Sequence, residues 1–356
     1  MRRKKNKWFC DTSRYHDVIL SATVSLSRNL AEYDFPSKLG NEQATELVER
    51  IRSFSGEISA REGRDYYSCR ADKLSNIEKD SLIECHTITQ TLKRKKTPAG
   101  LIISDDESVS IMINDDDHIR IQVSMQGNSI RKAFKTADRI DDFMDSNLQY
   151  CYSDKYGYLT SKPQDTGTGM RAVYTLSLPA ITMGGKIEVL QEEVSRFGTV
   201  LQGTYGDGSK SMGFIFQLSN RKTLGVSEQE IMENLEQVVS QIVSIERAAR
   251  RELMKSAEDE LEDRMYRSYG VLKYARLIPQ KDAMLLLAQL KLGCDTGVLK
   301  LKDGGAGIYR LMIEIQPGNL QKYEGKSMGS RERDRARAEY INANLPNFEP
   351  DKTEEV

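Results

Sequence analysis

The sequence lacks the features that would place a protein in a membrane, in an oxidising compartment or on a nucleic acid. No stretch approaches the roughly 18 consecutive apolar residues that a membrane span requires. Arg2-Arg3-Lys4-Lys5 is followed by Asn6-Lys7-Trp8 rather than by the apolar region of a secretion signal. These absences predict a cytoplasmic protein with no membrane partner. Cysteine is scarce: the five residues Cys10, Cys69, Cys85, Cys151 and Cys294 are scattered, odd in number and without a Cys-x-x-Cys pair. That argues against a disulfide framework and a structural zinc site, and predicts reduced thiols. Neither sign of charge dominates, since 52 Lys and Arg against 53 Asp and Glu leave a net charge of -1. No global field draws the chain to nucleic acid, so any partner is recognised locally. Internal repeats and low-complexity tracts are also absent.

What is present is enough for a folded, two-part molecule. The 356 residues are 38% hydrophobic and 29% charged, well above the apolar content of disordered chains. From Glu42 to Ile58, Ala44, Leu47, Val48, Ile51 and Phe54 recur at three- and four-residue steps and predict a helix. The period changes to two at Val109, Ile111 and Ile113, and again at Ile119, Ile121 and Val123, so two strands are expected with a tight turn over Asn114 to Asp117. A helix follows through Ile130, Phe134, Ala137, Ile140, Phe143 and Met144, then strands at Ala172 to Leu178 and Gly213 to Leu218. Ser227-x-x-Glu230 has the form of a capping box that opens another helix. Beyond about residue 250 the pattern is helical, ending with Arg331 to Leu345. Hairpins rather than βαβ repeats predict an α+β fold. The expected division is a tail (1–16), a mixed domain (17–249), a helical domain (250–345) and an acidic, frayed tail (346–356).

Three segments could carry chemistry. Asn114-Asp115-Asp116-Asp117-His118-Ile119-Arg120 puts three carboxylates, an imidazole and a guanidinium in seven residues. It reads as a polar turn, for which Asn and Asp have the right backbone preferences, or as an acid-base or Mg²⁺ site. Gly167-Thr168-Gly169-Met170-Arg171 and the run Gly203 to Ser209 are glycine-rich loops. Neither has the Walker or dinucleotide spacing, so each is open between a hairpin loop and a phosphate cradle.

Taken in order, Ser21 to Asn29, Asn114 to Gln122, Thr160 to Arg171, Gln202 to Gly208 and Gln217 to Asn220 resemble the phosphagen (guanidino) kinase family. Tyr266 to Leu272 and Arg331 to Asp334 extend the resemblance to its bacterial protein arginine kinase branch, over roughly Asp17 to Leu345. The resemblance implies an antiparallel sheet flanked by helices, followed by a helical C-terminal domain. It also implies phosphoryl transfer from Mg-ATP to arginine in proteins, in which carboxylates orient the guanidinium and take its proton while arginines neutralise the triphosphate. On this resemblance Asp116 and Asp207 are the catalytic carboxylates. The ATP-binding positions are Ser21, Thr23, Ser25, His86, Arg120, Arg171 and Gln202, with no dedicated protein metal site.

The sequence departs from the family pattern at several of these positions. Ser-x-Arg-x-Arg near the N-terminus is Ser21-x-Thr23-x-Ser25 here, and a third cage arginine is Gln202. The cysteine before Pro163 is Lys162, the asparagine two residues beyond that proline is Asp165, and both catalytic glutamates are aspartates. Lys162 and Lys210 are two new cations, read either as compensation for the missing arginines or as solvated surface lysines. Arg333-Asp334-Arg335-Ala336-Arg337-Ala338 retains the motif that, by resemblance, forms a phosphoarginine pocket. Arg333 and Arg337 lie one helical turn apart there.

Two functions remain open at this stage. One is a protein arginine kinase with a slow, divergent site, serving a Clp-type chaperone-protease. The other is a catalytically silent relative that reads phosphoarginine or pairs with an active kinase. A homodimer and an activator protein are further expectations from the resemblance.

Overall fold

The computed structural model describes residues 7–14, 16–204, 211–302 and 304–349. Its strands are β1 (Ile19–Arg28), β2 (Tyr66–Arg70), β3 (Gly100–Ser104), β4 (Val109–Ile113), β5 (Ile119–Gln126), β6 (Tyr152–Ser153), β7 (Gly157–Tyr158), β8 (Met170–Ser177), β9 (Thr199–Gly203) and β10 (Ile215–Asn220). Eight of them form one sheet in the order β2-β3-β4-β5-β1-β8-β10-β9, with β6 and β7 as a separate hairpin. Every neighbouring pair in the large sheet is antiparallel. The predicted α+β class is therefore what the chain adopts.

Alternation along the central strands gives the sheet two unlike faces, as expected when one face of an antiparallel sheet packs on a core. On β1, Ala22, Val24 and Leu26 are buried in the main core, as are Ile119, Ile121 and Val123 on β5, and Ala172, Tyr174 and Leu176 on β8. The helices Asn41–Ser53, Ile130–Asp145 and the first part of Glu228–Ser256 close over that side with Leu47, Ile51, Ala137, Ile140, Leu235 and Val239. The intervening residues form the opposite, polar face. In cross-strand register Thr23 sits opposite Ser124, Ser25 opposite Gln122, and Ser27 opposite Arg120. On the other side of β1, Ser25 is opposite Arg171.

The C-terminal helices form a second core with Leu261, Met265, Met284, Leu287, Leu290, Ile308 and Ile341. Trp8 and Phe9, within the expected N-terminal tail, are buried in it. A buried charge network joins this part to the start of β1. Lys291 donates to the Asp17 carbonyl (2.8 Å) and to Asp295 (2.6 Å), while Arg250 donates to Glu246 (2.7 Å). Glu246 in turn accepts the backbone amides of Ala180 and Ile181.

Several local expectations are adjusted. The helix predicted over Glu42 to Ile58 is two helices, Asn41–Ser53 and Ser55–Glu62, broken at Phe54, whose ring packs edge-on against Phe143. The strand expected from Gly213 starts at Ile215, because Gly213 and Phe214 both have positive φ. The φ of +71° at Gly213 favours glycine, and a Cβ there would also press on the Met284 carbonyl at 3.1 Å. The capping box at Ser227 and Glu230 forms as read, but its helix runs without a break through residue 250 to Ser256. The start of the C-terminal tail is docked rather than frayed: Phe348 packs against Tyr266 and Tyr269, and Glu349 donates its amide to Lys300.

Candidate active site

The acidic run forms the turn of the β4–β5 hairpin, closed by the Asn114 amide donating to the His118 carbonyl (2.9 Å). Asn114 has φ +57°, a left-handed conformation that Asn tolerates better than most residues. The four side chains that follow divide into distinct roles. Asp115 is buried and accepts from Thr89 Oγ1 (2.8 Å); its other oxygen has no partner, and burial raises its pKa against the pull of Arg120. Asp117 accepts from Asn29 Nδ2 and from the Ser161 amide, both at 2.7 Å. His118 Nδ1 accepts from the Leu30 amide, and its Nε2 lies 2.9 Å from the Asp34 carbonyl, which assigns the proton to Nε2. Burial lowers its pKa, so His118 is a neutral structural group. Asp116 is the residue of the turn left at the surface, and its Oδ2 accepts from Lys162 Nζ (2.6 Å) and weakly from Thr91 Oγ1 (3.4 Å).

The two arginines predicted for the phosphate cage flank Ser25 on the polar face. Arg120, one strand away on β5, donates from Nη2 to Ser25 Oγ (3.1 Å), and its buried Nε has no hydrogen-bond partner. Arg171 stands directly opposite Ser25 on β8 and donates to the Asn220 carbonyl (3.1 Å) and to Asp165 Oδ1 (3.0 Å). Thr23, the next position on the same face, exchanges a hydroxyl bond with Ser124 (2.9 Å). Gln202 is opposite Gln217 on the far side of the sheet and is exposed. None of Thr23, Ser25 and Gln202 carries the positive charge that the resemblance leads one to expect there.

His86 follows the helix Asn76–Glu84 with φ +56°, and its carbonyl accepts from Gln122 Nε2, which fixes it beside the polar face. Burial brings its pKa down to about 4, so the ring is neutral at pH 7. Ser21 lies four residues, roughly 13 Å, from Ser25 along β1. It is buried against the Tyr309 hydroxyl of the C-terminal part. Asp207 and Lys210 lie outside the described residues. The first glycine loop is crowded by backbone: a Cβ would come within 2.2 Å of the Thr223 carbonyl at Gly167 and 2.5 Å of the Ser27 carbonyl at Gly169. Both residues have positive φ, which accounts for the glycines without a phosphate.

In the C-terminal motif, Arg333 donates to the Met328 carbonyl (2.7 Å). Arg337 is 1% exposed and donates to the carbonyls of Ile315 (3.1 Å) and Ile278 (2.9 Å) and to Asp334 Oδ1 (2.7 Å). Nearby, Glu84 accepts the amides of Gly318 and Asn319, both at 2.7 Å, and so caps the helix Pro317–Glu324. Glu84 drew no attention as sequence because its partners lie more than 230 residues away. Asp165 did carry a signal, the loss of an asparagine, but its partner Arg171 is apparent only in the fold.

Comparison with known proteins places this chain in a family. The family model "ATP:guanido phosphotransferase, C-terminal catalytic domain" matches residues 46–249, and "Protein-arginine kinase McsB C-terminal domain" matches 258–356. The protein-arginine kinase of Halalkalibacterium halodurans is 40% identical over 329 residues, covering 92% of both chains. That of Bacillus subtilis is 36% identical over 340 residues, 96% of this chain and 93% of the relative. Among solved structures, lombricine kinase superposes with a TM-score of 0.56 at 19% identity, over 67% of this chain and 70% of that one. The duplicated taurocyamine kinase from Schistosoma mansoni with bound transition state analog components gives 0.58 at 21% identity, over 65% of this chain and 33% of that longer one. These two structures speak for the fold.

Proposed function

We infer the function from family membership: this chain belongs to the ATP:guanido phosphotransferase family, in its protein-arginine kinase branch. On that premise it is a protein arginine kinase that takes the γ-phosphoryl group from ATP, with Mg²⁺, and places it on arginine side chains of proteins. The observation that carries the reading is the meeting, on one polar face, of Arg120 and Arg171 on either side of Ser25, with Asp116 on the hairpin turn that leads into Arg120. The fit to a nucleotide rests on the buried, unpartnered Nε of Arg120, a donor that requires an anionic or polar acceptor. Magnesium would arrive on the phosphates of ATP.

In this chemistry ATP supplies the phosphoryl group. Arg120 and Arg171 hold the phosphate oxygens and neutralise charge as it shifts, the role in which one arginine is worth about 10³ to 10⁵ in rate. Asp116 orients the acceptor guanidinium and takes its proton, with Asp207 as the second carboxylate. Neutral His86 borders the nucleotide. With Thr23, Ser25 and Gln202 uncharged, turnover falls below the roughly 1 to 100 s⁻¹ usual for kinases.

A second reading, a silent relative that binds phosphoarginine proteins, is favoured by the pairing of both Asp116 and Arg171 within the chain. The half-exposed Arg333 and Asp334 then serve as the rim of a phosphoarginine pocket with Arg337 beneath them. Exposed Val271, Tyr274 and Leu277 support a homodimer. A Clp chaperone-protease and an activator protein complete the proposed partners, with the cytoplasm as the site of action.

Incubation with Mg-ATP and an arginine-rich protein separates the two readings. The kinase reading expects an acid-labile phosphoramidate, identified by its phosphorus resonance, formed slowly and lost in Arg120→Ala. No product from the folded protein at enzyme-stoichiometric amounts leaves the binding role.

A further inference from the structure

We propose that the segment Thr160 to Thr166 occupies the charge positions of both substrates in the free protein. Lys162 stands where the acceptor guanidinium would meet Asp116, and Asp165 stands where a phosphate would meet Arg171. This deepens the reading of the same site as a guanidino phosphotransferase and rests on it.

Both contacts come from one built turn. Lys162 Nζ is 2.6 Å from Asp116 Oδ2, and Asp165 Oδ1 is 3.0 Å from Arg171 Nη2. Pro163 opens a single 3₁₀ turn, Pro163–Asp165, closed by the Asp165 amide on the Lys162 carbonyl (2.9 Å). The turn is pinned on both sides. Before it, the Ser161 amide donates to Asp117 and Thr160 Oγ1 donates to the Lys162 carbonyl. After it, Thr223 Oγ1 bonds the carbonyls of Gln164 and Thr166. The two charged side chains are thus aimed by backbone held in place, not by the wandering of a long surface lysine.

The chemistry of the pair is complementary to the site. A cation lies on the carboxylate meant for a cation, and an anion lies on the arginine meant for an anion. Both charged residues stand at positions where the family pattern has uncharged cysteine and asparagine, so the two departures together introduce one positive and one negative charge. On this proposal Lys162, paired with Asp116, belongs to the acceptor side rather than replacing the missing cage arginines. An ammonium is a point charge that one carboxylate oxygen satisfies, whereas a guanidinium presents a planar fork to both oxygens. A substrate arginine can consequently displace Lys162. The side chains of Lys162 and Asp116 are 46% and 21% exposed, open enough for exchange.

Calorimetry on the full-length chain tests this with two probes, Mg-ATP and a short arginine-bearing peptide. Asp165→Asn is expected to tighten Mg-ATP by about two- to fivefold, the worth of an ion pair partly open to solvent. Lys162→Cys is expected to tighten the peptide by a similar factor, whereas Lys162→Arg, which keeps the pair, does not. Asp165→Ser and Lys162→Met repeat the test with other uncharged side chains should either first variant fold poorly. Weakened Mg-ATP binding in Lys162→Cys would make Lys162 a phosphate ligand and overturn the proposal, as would unchanged affinities in both variants. Phosphoarginine formation by the unaltered chain reports separately on the kinase reading, so a failed plug and a failed function give different results.

Discussion

The two arginine-bearing regions of this molecule differ in what their charges are tied to. On the polar face of the sheet, the pairs Lys162–Asp116 and Arg171–Asp165 are partly open to solvent, and Arg120 keeps a donor without a partner. In the C-terminal helix Ser330–Asn344, Arg337 is sealed and bonded to two backbone carbonyls and Asp334. By the resemblance read from the sequence, the first region is expected to be the eroded one and the second the retained one. Physically, however, the eroded region holds charges that a ligand can displace, and the retained one holds an arginine that the fold itself uses. Retention of Arg337 is thus explained by structure before any ligand is invoked.

The largest expected effect would break that comparison if it were absent. Arg337→Ala leaves two buried carbonyls and Asp334 without their donor and should destabilise the protein by about 3 to 5 kcal/mol, read as a lowered denaturation midpoint. Loss of phosphoarginine binding in that variant would therefore be ambiguous. Arg333→Ala, expected to cost less than about 1 kcal/mol, is the cleaner probe of the pocket.

A second effect reports on the contact between the regions. Glu84 caps a C-terminal helix from the catalytic side, and burial, opposed by the Gly318 and Asn319 amides, raises its pKa to about 7 from an ordinary 4.5. The folded state therefore keeps a proton that the unfolded state has released. Its contribution is fully present below pH 4.5 and declines as pH rises toward 7, by on the order of 3 kcal/mol. Glu84→Gln should flatten that decline in a series of denaturant titrations across this window. An unchanged slope would mean that Glu84 is ionised throughout.

The third effect sharpens the account of the polar face. Restoring the cage with Thr23→Arg, Ser25→Arg and Gln202→Arg should raise phosphorylation of an arginine-rich protein by at least about tenfold. No gain in a folded triple variant would shift the limit to the shortened carboxylates or to the turn carrying Lys162 and Asp165.

How much of this was legible in the sequence follows from the range of the interactions involved. Period-two alternation identified β4, β5 and their turn because strand faces are set locally, and the Ser227 capping box formed because its partners are three residues apart. The order of motifs gave the family and the positions of Arg120 and Arg171. What alternation could not show is which acid of the turn faces outward, since that depends on Asn29, Thr89 and Ser161 arriving from elsewhere. Lys162 stays open in the sequence between a cation for the phosphates and a solvated surface lysine because only its charge is visible there; its partner Asp116 is 46 residues away. The burial of Arg337 and of Trp8 and the docking of Phe348 were equally out of reach, each being decided by distant packing.

The most direct measurement is the time course of phosphoarginine formation by the unaltered chain and by Asp116→Asn, at equal concentration with Mg-ATP and an arginine-rich protein. The account predicts slow accumulation of acid-labile product by the unaltered chain and none above background in the variant. Equal accumulation in both would contradict the placement of the transfer chemistry at the β4–β5 turn.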